Sequence, residues 1–197
     1  MFRRLVRAAT LIVLAVVVSA CAQPARTTAM VANVSDATRI ADNNPLKNAV
    51  ALQNVSGGQE TSPLWTSKVS NSDFRRALEL TLKQHTLLGS NEAPLKLTTT
   101  LLKLDQPFAG FTMTVGSSVR YDIRANDGSS VFDETVNASG TATFSDAPLG
   151  VERLRLANEK SIRANIQSFM KQLIERSQKD PSSFGGNATS ALKLVLG

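Results

Sequence analysis

The chain has 197 residues, 42% of them hydrophobic and 19% charged, with a formal net charge of +6, one cysteine and one histidine. That length suits one compact domain plus tails, and a lone cysteine beside a lone histidine leaves neither an intrachain disulfide nor a zinc centre of the usual ligands. Aromatic residues make up 5% of the chain, which argues against a base-stacking or carbohydrate platform.

In chain order, Arg3, Arg4 and Arg7 precede an apolar run from Ala8 to Val18 that closes on Ser19 and Ala20. A basic stub, a short apolar run and small residues after it are the parts of a secretory signal. The run is shorter than the about 20 apolar residues of a spanning helix. Residues 1–20 are therefore read as a signal peptide, leaving 177 residues with a charge of +3, since three arginines and no acids lie in the signal. With no basic cluster in the remainder, nucleic acid is not an expected partner.

Val18-Ser19-Ala20-Cys21 resembles the lipobox of bacterial lipoproteins. The resemblance implies that Cys21 carries a diacylglycerol thioether and, after cleavage, an acylated amine. Two or more acyl chains make a stable anchor at about 0.8 kcal/mol per buried CH₂, whereas one holds a protein only marginally. Ala22 in place of an aspartate implies, by the same family rule, the periplasmic face of the outer membrane, with the inner membrane as the other site.

Residues 21–45 are polar, small and without sustained periodicity, and read as a flexible tether. A domain is expected over residues 46–177. It opens with a strand in "KNAVALQNV", and "SGGQETSP" punctuates it. In "SNSDFRRALELTLKQHTLLG" Ser72 suits an N-cap, Asp73 suits the first turn, and Gly89 suits the C-terminal stop. Phe74, Ala77, Leu78, Thr81, Leu82, His85 and Leu88 share one face of that helix. Leu95 to Leu104 is a β-branched, partly alternating run, and a second strand alternates over Val119, Tyr121 and Ile123. Asp127-Gly128 suggests a type I′ hairpin turn into a third run through Phe132 and Val136, where Gly140 suggests a bulge or bend. A long helix from about Val151 to Arg176 carries a stripe from Leu154 to Leu173, and residues 178–197 read as a flexible tail. The expected fold is α+β, in the order β-α-β-β-β-α: one mainly antiparallel sheet with two helices packed on one face.

No catalytic residue, metal ligand or cofactor site is assigned, and the chain is expected not to be an enzyme. His85 has no Cys, Asp or Glu beside it to form a triad. Asp122, Asp127, Asp133 and Glu134 lie on or near the hairpin and suggest a solvated face. Two features stand out as contact candidates. "QPFAGFTM" gathers Phe108, Phe111 and Met113 between two strands, as a partner or lipid contact or as a bend packed under a helix end. Asn158 and Asn165 are nearly aligned on the long helix, where amides on a core-facing stripe need partners, as the lining of a partner groove or as caps on the sheet edge or a loop.

"DFRRALELTLKQHTLLG", "VRYDIRANDGSSVFDETV" and "RLRLANEKSIRANIQSFMKQLIE", together with the lipobox, resemble small bacterial envelope lipoproteins of the YajG-like and ABC-type transport auxiliary group. The resemblance covers about Lys47 to Arg176 and carries no catalytic signature. It implies a membrane-anchored, non-enzymatic accessory protein in a lipid or lipopolysaccharide transport or envelope assembly complex, with an envelope protein as partner. The alternative is a periplasmic carrier that binds lipid directly, which needs a cavity of a few hundred Å³.

Overall fold

A computed structural model describes residues 22–35, 38–62 and 66–185. The signal segment and Cys21 lie outside the described residues. The elements are α1 (Thr27–Met30), β1 (Val50–Ser56), α2 (Asn71–Gln84), β2 (Leu95–Asp105), β3 (Met113–Ala125), β4 (Ser130–Ala142) and α3 (Gly150–Lys179), with a 3-10 turn at Pro181–Phe184. The strands form one sheet in the order β1-β2-β3-β4. β1 pairs parallel to β2 through the α2 connection, and the other two pairs are antiparallel. The expected α+β architecture is the one observed.

Period-2 alternation separates the two faces of the sheet. Leu95, Leu97 and Leu101 of β2, Val115, Val119, Tyr121 and Ile123 of β3, and Phe132 and Val136 of β4 are buried on the helix side. The other face carries Arg120 and Asp133, joined at 2.7 and 2.6 Å, and Asp122 with Arg124 at 3.1 Å. α2 buries Phe74, Ala77, Leu78 and Leu82, and α3 buries Ile162, Ile166, Phe169, Met170, Leu173 and Ile174. Each large side chain so buried contributes about 1.5–3 kcal/mol. Tyr121 stacks on Phe169 with ring centroids 3.9 Å apart, closing the space between sheet and helix at that point.

Several local expectations are corrected. The N-cap of α2 is Ser70, two residues before Ser72: its hydroxyl accepts the Asp73 N–H at 3.1 Å and donates to Asp73 Oδ2 at 2.6 Å. The helix stops at Gln84, and Thr86 (φ 58°), not Gly89, takes the left-handed position. In the hairpin, Asp127 does not share the positive φ of Gly128 (85°), so a type I′ turn is ruled out. The Gly128 N–H instead closes on Ala125 O at 2.9 Å, and the strand register shifts just beyond, after Ile123. Gly140 is no bulge, for it pairs in register with Val115. A Cβ there would meet Ser161 N at 2.2 Å and Ala157 O at 2.6 Å, so the glycine lets the α3 backbone lie directly on β4.

The described part of the expected tether is built into the domain. Ala22, Ala25, Met30, Val31 and Ala32 are buried, as is Leu46 just beyond it. This segment runs along α3: Arg26 N–H donates to Glu159 at 2.8 Å, Arg163 reaches Ala29 O at 3.4 Å, and Asn44 donates to Ser177 at 3.1 Å. The expected tail is likewise docked where it is described, with Phe184 buried at the end of the 3-10 turn.

Candidate functional site

Two loops meet at the Gly150 end of α3: residues 106–112 between β2 and β3, and residues 143–149 between β4 and α3. Arg153, in the first turn and a half of the helix, joins them. Its Nη1 donates to Ala147 O at 2.8 Å and Pro148 O at 2.7 Å, and its Nη2 donates to Gly110 O at 2.9 Å. The guanidinium is buried, at 6% exposure for the residue, and lies 5.5 Å from the Phe144 ring centroid. A planar cation with several fixed donors suits such a clamp because it bonds carbonyls of two segments at once.

The clamp holds apolar side chains out into solvent. Phe108 is 104% exposed, Phe111 81%, Phe144 55% and Leu149 45%. Phe111 and Phe144 come from different loops, and their rings sit 6.3 Å apart. The turn that presents Phe144 is fastened by Asp146, whose Oδ2 accepts the Thr143 N–H at 2.7 Å while its Oδ1 accepts Lys160 Nζ at 3.0 Å. The Thr143 backbone N–H, followed by Lys160, holds the Asp146 carboxyl down at about 2.

Of the expected contact residues, Phe108 and Phe111 are on this tip and Met113 is not. Met113 is the first residue of β3 and points to the helix side, where it packs with Val115, Ala142, Leu154 and Ala157 beneath the tip. Phe144, Leu149 and Arg153 were missed. In the sequence Phe144 continues the alternation of β4 and so reads as a core residue, and nothing local marks an arginine as a clamp.

The paired asparagines are structural. Asn165 donates to Val136 O at 2.8 Å and Ser117 Oγ at 3.2 Å and accepts from Tyr121 OH at 2.9 Å. Burial pushes the Tyr121 phenol well up. Asn158 donates to Ser67 O at 3.0 Å and accepts from Gln106 Nε2 at 2.7 Å, which ties the root of the Phe108 loop to α3. Beside it Arg155 pairs with Glu152 and Glu159, and the bond to Glu152 raises the Arg155 guanidinium and lowers the Glu152 carboxyl.

His85 sits buried between Thr81 O at 2.8 Å and Thr38 Oγ1 at 3.0 Å, joining α2 to the N-terminal segment. Among the described residues, a surface depression beside Gly57 and Leu101 holds about 120 Å³. A second, about 530 Å³, is an open groove lined by Arg75, Glu79, Asn91, Glu92 and Lys96. Neither has the enclosed apolar lining that an acyl chain requires.

Fold and tip together define a small α+β domain with an exposed apolar tip fastened by Arg153. No protein-family model matches the chain, and no curated protein matches it. Among solved structures it is similar to protein XCC0632 from Xanthomonas campestris, of the DUF330 family, with a TM-score of 0.51 and 8% identity over 68% of this chain and 87% of that one. It is also similar to a candidate lipoprotein from Caulobacter crescentus CB15, with a TM-score of 0.51 and 12% identity over 71% of this chain and 97% of that one. At these identities the likeness is one of fold, and function has to be argued from the site.

Proposed function

We propose that this chain is a lipid-anchored, non-enzymatic accessory protein of a bacterial envelope. In this reading Cys21 carries the acyl chains, the domain faces the periplasm from the outer membrane, and it works beside a lipid or lipopolysaccharide transport or assembly complex. The observation that carries the reading is the tip. It carries large exposed apolar side chains on loops that Arg153 ties together, which suits a surface made for contact rather than a pocket made for conversion. The lipobox at Val18–Cys21, the candidate lipoprotein among the fold relatives, and the resemblance to YajG-like and ABC-type auxiliary lipoproteins support it. Among the described residues no helix is long and apolar enough to cross a membrane, so attachment through Cys21 fits the described chain.

The test is crosslinking in cells of the anchored protein, then purification and mass spectrometry of the proteins and lipids recovered. A defined transport or assembly component, enriched over the Cys21→Ala protein, is the expected result. Stoichiometric lipid with no protein component would overturn it in favour of a carrier.

A further inference from the structure

We infer that the aromatic tip is a membrane-docking surface: Phe108, Phe111, Phe144 and Leu149 enter the same lipid leaflet that holds the acyl chains on Cys21. This rests on the anchored reading above and adds how the domain sits on the bilayer.

The argument is one of position. Cys21 is one peptide bond from Ala22, and the chain is already fixed to the domain there: Ala22 is 4% exposed, Ser67 Oγ donates to Gln23 O at 2.7 Å, and Ala25 N–H donates to Lys68 O at 3.2 Å. The carbonyl of that same Ser67 accepts Gln106 Nε2 at 2.8 Å and Asn158 Nδ2 at 3.0 Å. Gln106 is two residues from Phe108. The chain therefore enters the domain one hydrogen-bonded residue away from the root of the tip loop.

α3 supplies a ruler. Its 30 residues span about 45 Å at about 1.5 Å per residue. Asn158 and Glu159, which hold this entry region, lie only about 12–14 Å from the Gly150 end where the tip sits. The N-terminal segment then leaves along the helix toward Ser177, away from the tip. With Ala22 buried and Gln23, Ala25 and Arg26 hydrogen-bonded to the domain, a single peptide bond joins residue 21 to a fixed residue. A membrane that holds residue 21 is thus brought against this end of the molecule.

The chemistry fits that occupant. Aromatic and aliphatic side chains on a polar-backed loop gain by entering the headgroup and acyl boundary. Docking here leaves the polar outer face of the sheet, with Arg120, Asp133 and Asn137, to the side of the contact and open to a protein partner, Asn137 being five residues along β4 from its Ala142 end.

The test uses the chain from residue 21 with Cys21→Ser, so that an introduced cysteine is the only thiol. Ala109→Cys places a fluorophore between Phe108 and Phe111, and Asn137→Cys places one on the open sheet face. Vesicles of phosphatidylethanolamine and phosphatidylglycerol carrying nitroxide lipids are the probe. The label at 109 should be quenched several-fold more than the label at 137. Phe108→Ser with Phe111→Ser should weaken vesicle partition by at least about tenfold, with an unchanged far-ultraviolet circular dichroism spectrum. Equal quenching at the two positions, or no partition at millimolar lipid, overturns the inference. So does a dimer that buries the label at 109 without lipid, which would assign the tip to a second copy. The chain in this test has no acyl group, so its failure leaves acylation of Cys21 standing, and an unacylated Cys21 in cells leaves a positive vesicle result standing.

Discussion

Gly140→Ala adds one methyl group where β4 meets α3. The new Cβ would stand 2.2 Å from Ser161 N and 2.6 Å from Ala157 O, both backbone atoms that no rotamer change can move. Ordinary contact begins near about 3.5 Å, so the helix has to lift from the sheet by about 1.3 Å. That lift opens the packing of Ile162, Ile166 and Phe169, all fully buried. Overpacking of a dense core costs about 1–3 kcal/mol, and the upper end applies where the obstacle is backbone. Against it stands the about 0.4–1 kcal/mol that Gly→Ala gains by restricting the unfolded chain. The net loss of about 2 kcal/mol should lower the melting temperature by about 4–8 °C in a domain of this size, read by far-ultraviolet circular dichroism. Gly150→Ala is the control, because its Cβ meets Arg153 Nη2 at 3.7 Å and Met113 Cε at 3.8 Å, ordinary contacts, and it should not destabilise. An unchanged or raised melting temperature for Gly140→Ala would refute the close helix–sheet approach.

Asn165→Ala leaves the Tyr121 hydroxyl and the Val136 carbonyl without their partner, and should cost about 3 kcal/mol by denaturant titration. A loss within about 0.5 kcal/mol of zero would mean those groups find other partners. Burial holds His85 below its ordinary value of 6.5, outweighing the Thr81 carbonyl, which raises it. The unfolded chain then takes up the proton first, so stability present above about pH 6.5 is lost as the pH falls below it. Protection factors at residues 30–35 and 38–46, taken relative to the intrinsic exchange rate at each pH, should fall between pH 7 and pH 5, and His85→Gln should flatten that change. Arg153→Met removes three bonds to the two loop carbonyl sets and should speed exchange across residues 107–112 and 143–149 while leaving α2 unaffected.

The fold was legible in the sequence wherever one period ran unbroken. α2 shows its stripe from Phe74 to Leu82, and β3 shows alternation over Val119, Tyr121 and Ile123, so element order and sheet layering follow from pattern alone. Phe108 and Phe111 were legible because large apolar residues around Pro107 and Gly110 break the pattern of a loop. What pattern could not carry is anything fixed by contacts far apart in sequence. Residues 22–46 have no period, and the described ones among them are held where Arg26 meets Glu159 and Asn44 meets Ser177, each pair 133 residues apart. Gly140 looks like a strand irregularity until α3 is laid over it. Phe144 keeps the alternation of β4, but the strand stops at Ala142 and the Asp146 turn swings the ring out to the tip.

The most direct measurement is the intact mass of the protein extracted from cell membranes with detergent. A chain beginning at Cys21 and carrying a diacylglycerol thioether and an acylated amine is the expected result, and Cys21→Ala should then be released from the membrane fraction. A free Cys21 thiol, or a chain still carrying residues 1–20, would contradict the anchored reading.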